Sequence, residues 1–232
     1  MLILAIESST AQVGCAIGGH EGVLASAHSA RGRQHAESLA PMIEFVCGQA
    51  RVELSDLSCI AVDLGPGLFT GLRVGIATAT AMASALRVPM IGISSLDLLA
   101  FPVRFTDRLI VVAIDARRGE LFHASYRQVP GGVQRLTEAR VCTPEDLASE
   151  LMATNGEVLL VGDGARRYEE IFAGVQKVEL VEQGASHPMA TALAQLAHAR
   201  ALREEFVPPA DIQPIYLRRP DAEINWVTRD QI

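Results

Sequence analysis

The sequence predicts an α/β protein of two lobes, and three observations carry that prediction. Short apolar runs that end in an acid and a tight turn alternate with helical stretches along the chain. The opening Leu4-Ala5-Ile6-Glu7 recurs 108 residues later as Val112-Ala113-Ile114-Asp115, close to half the chain length. After each copy the alignment continues, with Val13 matched by Leu121 and Ala16 by Ala124. A strand, acid, turn and strand that open each half indicate duplication. The division is read as residues 1–103 and 104–232.

The elements follow in order. Leu2 to Ile6 reads as a buried strand, and Val13 to Ile17 and Gly22 to Ala27 complete an antiparallel meander. A helix is expected over 34–50, because Leu39, Ile43, Val46 and Ala50 share one stripe. Pro41 within it predicts an early kink. Ile60 to Leu64 reads as a strand running into the Gly65-Pro66-Gly67 loop. Thr70 is expected to cap a second helix reaching Leu86. Met90 to Ile93 reads as a strand and Ser95 to Ala100 as a short helix. In the second half Thr143 is a candidate cap, with Pro144 at the first helical position and acids following. Val158 to Val161 reads as a buried strand ending in Gly162-Asp163-Gly164, and Met189 to Glu205 as a helix. Pro208, Pro209, Pro214 and Pro220 predict an extended tail lying over the body.

Two strand–acid–turn hairpins, each opening a lobe, suggest the architecture of actin, hexokinase and Hsp70. There the two turns face one another across a cleft and approach a nucleotide's phosphates. The candidate nucleotide contacts are therefore Glu7, Ser9, Thr10, Asp115, Gly162, Asp163 and Gly164. Glu7 and Asp115 are equally readable as cleft acids or as structural turn residues.

Composition narrows the function classes. The 232 residues are 49% hydrophobic, enough for a sizeable core without disulfides or metal. Aromatics are only 5%, so Ala, Val, Leu and Ile must build that core. The net charge of −7 lacks the basic excess of a chain that grips nucleic acid by itself. Cys15, Cys47, Cys59 and Cys142 form no CxxC pair and read as reduced thiols. No stretch is read as a signal or a membrane span, so a cytoplasmic location is expected. No GxSxG elbow and no phosphate-loop lysine motif occurs. His20, His28, His35, His123, His187 and His198 include no pair three or four residues apart, so no catalytic residue and no metal ligand is assigned. His35 reads as an acid/base or as a polar residue tied to Glu37 or Glu7. Arg117 and Arg118, at a turn tip, read as a solvated turn or a contact for RNA or a partner.

Four segments resemble the TsaB/YeaZ family: Ile3 to Thr10; Gln34-His35-Ala36-Glu37-Ser38-Leu39-Ala40-Pro41-Met42-Ile43; Gly65-Pro66-Gly67-Leu68-Phe69-Thr70-Gly71-Leu72-Arg73-Val74-Gly75; and Asp115-Ala116-Arg117-Arg118-Gly119-Glu120-Leu121-Phe122. The third string is the most specific. Pro214-Ile215-Tyr216-Leu217-Arg218 adds weaker support. Two positions depart from the family pattern. Glu7 stands where Asp is usual, and Leu68 where a small residue is usual.

The resemblance implies an actin-like fold and a non-catalytic subunit of the machine that makes N6-threonylcarbamoyladenosine at tRNA position 37. It implies a TsaD-type catalytic subunit and a TsaE-type ATPase as partners, with tRNA engaged only through the complex. It implies a homodimer when the chain is alone. The helix that in TsaD-type transferases carries an H-x-x-x-H metal pair here has Ser95 and Leu99 at those positions. No resident cofactor is expected, although ATP or ADP with Mg at an inter-lobe or inter-subunit site stays open. The expected partner surface is Leu39, Met42, Ile43 and Val46 on the first helix with Leu72, Gly75, Thr78, Ala79 and Met82 on the second. The competing reading is an ATP-dependent carbamoyl or small-molecule kinase, with Glu7 and Asp115 near Mg.

Overall fold

The computed structural model describes residues 1–32 and 34–218 of the chain. Strands β1 (Leu2–Glu7), β2 (Val13–Gly19), β3 (Gly22–Ser29), β4 (Cys59–Asp63) and β5 (Met90–Ile93) form one sheet, ordered β3-β2-β1-β4-β5. The meander β1–β2–β3 is antiparallel, while β4 and β5 join in parallel. The second sheet repeats this plan with β6 (Leu109–Arg117), β7 (Glu120–Val129), β8 (Gly132–Arg135), β10 (Val158–Val161) and β11 (Val178–Leu180), ordered β11-β10-β6-β7-β8. A sixth strand, β9 (Arg140–Cys142), also pairs with β7. The duplicated segments are thus the central strand of each sheet, each hairpinned to its neighbour on one side and parallel to a crossover strand on the other. This is the actin-like plan, in five and six strands.

The central strands are buried on both faces, which is why they read as unbroken apolar runs. Leu4 and Ile6 face α1 (His35–Ala50) and α2 (Phe69–Leu86), whereas Ile3 and Ala5 face α7 (Ala190–Ala201). In the second sheet Val111 and Ala113 face α4 (Pro144–Ala153), α5 (Asp163–Arg167) and α6 (Glu169–Phe172). Ile110, Val112 and Ile114 face α3 (Ser95–Ala100). The sheets therefore divide between residues 93 and 109, but the helices do not follow that division. Helix α7 comes from the far end of the chain and covers the first sheet. Helix α3 follows the first sheet and places Leu96, Leu99 and Ala100 in the core of the second.

Several local expectations change. α2 begins at Phe69 with Leu68 as its cap residue, so Thr70 lies inside the first turn rather than capping it. The Leu68 amide is tied to the Ser9 carbonyl at 2.7 Å, and that tether starts the helix early. α1 runs unbroken from His35 through Pro41 to Ala50. Thr143 caps α4 as expected, accepting the Asp146 amide at 3.1 Å, with Pro144 at the first position. α2 is also 18 residues long with a mean hydropathy of 1.2, enough by length and composition to cross a bilayer. One of its faces packs on the first sheet through Ala79 and Ala83.

The tail lies extended on the body. Val207 bridges Met90 on the free edge of β5, Ile212 is buried, and the Ile215 amide donates to the Leu64 carbonyl at 2.7 Å. The Arg200 guanidinium covers the Gly92 carbonyl on the same strand at 2.9 Å. Together they close an edge that would otherwise invite strand pairing. Pro220 lies outside the described residues.

Candidate functional site

The two acid-bearing turns are built alike. Glu7 Oε1 accepts the Ser9 amide at 2.7 Å and the Ser9 hydroxyl at 2.8 Å. Asp115 Oδ1 accepts the Arg117 amide two residues on, at 2.9 Å. In both copies the carboxylate closes the turn that follows it. Crossover strand β4 repeats the device: Asp63 Oδ1 accepts the Gly65 amide and the Ser95 hydroxyl, each at 2.7 Å. Asp163, just past β10, accepts the Asp115 amide at 3.0 Å. Each lobe therefore holds an acid pair at the carboxyl ends of two adjacent parallel strands. Asp63 escaped the sequence reading. Its signal was an acid ending an apolar strand, the same signal that picked out Glu7.

The pairs differ in environment. Asp115 is neutralised by Arg117 at 3.0 Å and by Arg167 at 3.3 Å. Glu7 and Asp63 are 0% and 1% exposed and have no cationic partner in the structure among the described residues. Burial, and then the Asp63 charge, raise the Glu7 carboxyl well above its usual range. Burial likewise pushes Asp63 up to about 6. Burial raises Asp163 too, and the Asp115 amide that it accepts holds part of that rise back.

The glycine-rich string serves packing. A side chain on Gly67 would meet the Ser9 carbonyl at 2.2 Å, one on Gly71 the Ser8 carbonyl at 2.3 Å, and one on Gly75 the Ser8 hydroxyl at 2.1 Å. The Ser8 hydroxyl donates to the Gly71 carbonyl at 2.9 Å. The glycines let α2 lie directly on the β1–β2 turn. Two loop amides, those of Gly65 and Leu68, are spent on Asp63 and Ser9. Gly162 and Gly164 follow the same logic. Added Cβ atoms there would meet the Ala113 carbonyl at 2.2 Å and the Leu121 side chain at 2.5 Å.

The expected nucleotide contacts fit a phosphate chain poorly. Glu7 and Ser9 bond each other, Asp115 is held by two arginines, and Asp163 holds the Asp115 amide. Thr10 is 1% exposed, with its hydroxyl 3.2 Å from His187 Nδ1. Gln12 donates to the Pro188 carbonyl at 3.2 Å, so the segment before α7 is bound to the first turn. His35 Nε2 donates to the Thr10 carbonyl at 2.9 Å, a carbonyl where a carboxylate was expected. Among the described residues no group of three or more His, Cys, Asp or Glu is placed to hold a metal ion. Ser95 is tied to Asp63, and Leu99 sits in the second core.

A cleft of about 850 Å³ opens beside His35, between Arg31, Arg117 and the first turn of α2. A second, apolar groove of about 660 Å³ runs along the outer face of α2 between Arg73, Ile76, Ala77, Ala81 and the tail residues Pro214 and Tyr216. Phe69 and Tyr216 stack across its end, 5.4 Å between ring centres, with Arg73 over Phe69 at 4.0 Å.

The residues expected to form a partner surface lie elsewhere. Leu39, Ile43, Val46, Leu72, Gly75 and Ala79 are buried in the first lobe's own core, and Met42, Thr78 and Met82 are half-buried. The stripe that the spacing revealed is the face packed on the sheet. Exposed apolar and small residues occupy the opposite face: Pro41 and Phe45 on α1, and Phe69, Ala77, Ala81 and Ala85 on α2.

The family model for TsaD, tRNA N6-adenosine threonylcarbamoyltransferase, matches residues 23–226. The chain is 34% identical over 226 residues to the uncharacterised Mycobacterium leprae protein ML0378, covering 96% of this chain but 56% of that protein, so it spans little more than half of that relative's length. It is 28% identical over 222 residues to the tRNA threonylcarbamoyladenosine biosynthesis protein TsaB of Escherichia coli, covering 94% of this chain and 95% of that one. A solved structure from Pseudomonas aeruginosa, of a protein described as similar to the peptidase YeaZ, matches with a TM-score of 0.81 at 28% identity over 94% of this chain and 99% of that one.

Proposed function

The chain belongs to the TsaB/YeaZ family, within the wider TsaD-type family, and on that premise we propose that it is a non-catalytic partner subunit in the formation of N6-threonylcarbamoyladenosine on tRNA. It docks onto a TsaD-type catalytic subunit in the cytoplasm, works with a TsaE-type ATPase, and pairs with itself when alone. The observation that carries this reading is the outer face of α2. An 18-residue helix exposes Ala77, Ala81 and Ala85, small residues four apart, beside the apolar groove under Tyr216. Small side chains let a second helix approach closely. Apolar side chains exposed together beside a groove are the kind of surface a partner covers. The reading is also favoured by the inward-turned acids, which leave little for chemistry in the cleft. With a net charge of −7, the chain relies on its partner for most of the grip on tRNA.

Reconstitution tests the reading. Omitting this chain from a mixture of TsaD-type subunit, TsaE-type ATPase, tRNA and threonylcarbamoyl adenylate should lower modification sharply. Full modification without it would remove the assigned role. Ala81→Glu should abolish co-purification with the TsaD-type subunit while leaving the thermal midpoint unchanged. A Gly75→Glu change would not serve, because Gly75 touches Ser8 inside the fold. The cleft between Arg31 and Arg117 favours one second reading, an ATP-binding kinase-type enzyme. Calorimetry with ATP and Mg separates the two: tight binding by the isolated chain supports the enzyme.

A further inference from the structure

Glu7 and Asp63 stand side by side at the ends of β1 and β4, one step beyond the paired residues Ile6 and Val62. Each carboxyl has one oxygen that is fully used. Glu7 Oε1 takes two hydrogen bonds from Ser9, and Asp63 Oδ1 takes one each from Gly65 and Ser95. The other two oxygens, Glu7 Oε2 and Asp63 Oδ2, are buried and have no donor. Two ionised carboxylates left in that state would each bear an uncompensated charge away from water, which is strongly unfavourable. A single proton between them satisfies both oxygens and halves the buried charge.

Among the described residues the surroundings supply no alternative. α2 presents Gly71 and Gly75 to this turn, and α3 presents Ser95. From β2, Gly14 lies opposite Glu7. Two titratable groups reach the same turn: His35 from α1, and His187 from the segment before α7. Both contact Thr10 rather than either carboxyl. The tail binds the adjacent Leu64 carbonyl through the Ile215 amide and, among the described residues, brings no charge to the pair.

We propose that Glu7 and Asp63 share one proton between Oε2 and Oδ2, and that this acid–carboxylate pair is a pH-sensitive pin joining the β1–β2 turn to the loop entering α2. The three segments it ties, 7–9, 63–65 and Ser95, meet beside the seat of α2, where Gly71 and Gly75 rest on Ser8. Loss of the shared proton places two like charges in one dry site and loosens that seat.

The sign follows from the directions of the shifts. Both carboxyls hold protons more tightly folded than unfolded. The stability they contribute is complete below the unfolded values; the Asp63 share is lost as pH climbs through about 6 and the Glu7 share at higher pH. Carbon-13 NMR of the side-chain carboxyls should show Glu7 and Asp63 titrating together, with one proton retained at neutral pH. Two independent curves, both ionised by about pH 5 as in free carboxyls, would overturn the proposal. Glu7→Gln keeps a donor toward Asp63 and removes the shared proton. Its thermal midpoint should fall less than the wild type's between about pH 6 and about pH 9. A parallel fall in both proteins would also overturn the proposal. Should Glu7→Gln fail to fold, Asp63→Asn offers the same comparison from the other side, and the wild-type titration requires no variant.

Discussion

Single atoms decide several positions in this chain. Gly71 is the clearest case, since a methyl group there would sit 2.3 Å from the Ser8 carbonyl, a backbone atom with little freedom to retreat. Gly71→Ala should cost about 1–3 kcal/mol or more, read as a lower urea midpoint at unchanged slope. His123 offers a second residue-scale prediction. It is 1% exposed on β7, and its Nε2 accepts from Arg140 Nε at 3.1 Å. The proton must then sit on Nδ1, which has no partner. Burial first, and the Arg140 charge second, push its pKa down to about 4. The folded ring stays neutral while the unfolded one protonates, so its contribution is present above pH 6.5 and is lost as pH falls toward 4. Nitrogen-15 spectra at about pH 5.5 should show a neutral ring with hydrogen on Nδ1. A charged ring at that pH would contradict the geometry.

At the scale of elements, caps and edges carry the argument. Thr143 closes the first turn of α4, and Thr143→Ala should lower stability by about 1 kcal/mol. Chemical denaturation would measure it. The tail is a structural element in its own right, because it pairs with β5, buries Ile212 and walls the groove on α2. Ending the chain after Glu205 should therefore lower the thermal midpoint and weaken association with a TsaD-type subunit together. A truncated protein that keeps full association would separate the groove from the partner surface. α2 also shows how a periodic pattern misleads. Spacing of three and four finds the buried face, where Gly71, Gly75, Ala79 and Ala83 let the helix lie close on the sheet and the β1–β2 turn. The outward face carries Arg73, Ala77, Ala81, Ser84 and Ala85 behind Phe69, a mixture that no hydrophobic pattern distinguishes from an ordinary solvent face.

At the scale of the molecule the lobes depend on one another. One face of the first sheet, with Ile3, Ala5, Ala16, Cys59 and Ile91, is covered by α7, which lies about 100 residues downstream of β5. A chain of residues 1–103 should expose that face and fail to unfold cooperatively, whereas adding residues 186–218 in trans should restore a sigmoidal transition followed by circular dichroism. The lobes are joined further by the Tyr126 hydroxyl and Arg135 guanidinium, which both donate to Asp97 on α3, at 2.9 and 2.6 Å. Contacts at Thr10 and Gln12 with His187 and Pro188 complete the link.

The sequence by itself determined the strands of the first sheet, the central strands of the second, most helices, the duplication and the family, because each is written in short-range patterns: apolar runs buried on both faces, acids closing turns, a Thr-Pro helix start; the short edge strands β8, β9 and β11 carry no such pattern. The tertiary structure alone decided which side of α1 and α2 remains exposed and which sheet α7 covers. It also decided that Glu7 meets Asp63 rather than the cleft. Those facts rest on contacts between residues tens to almost two hundred positions apart, where side chains compete for one volume and one set of hydrogen-bond partners, and no local pattern records the outcome of that competition.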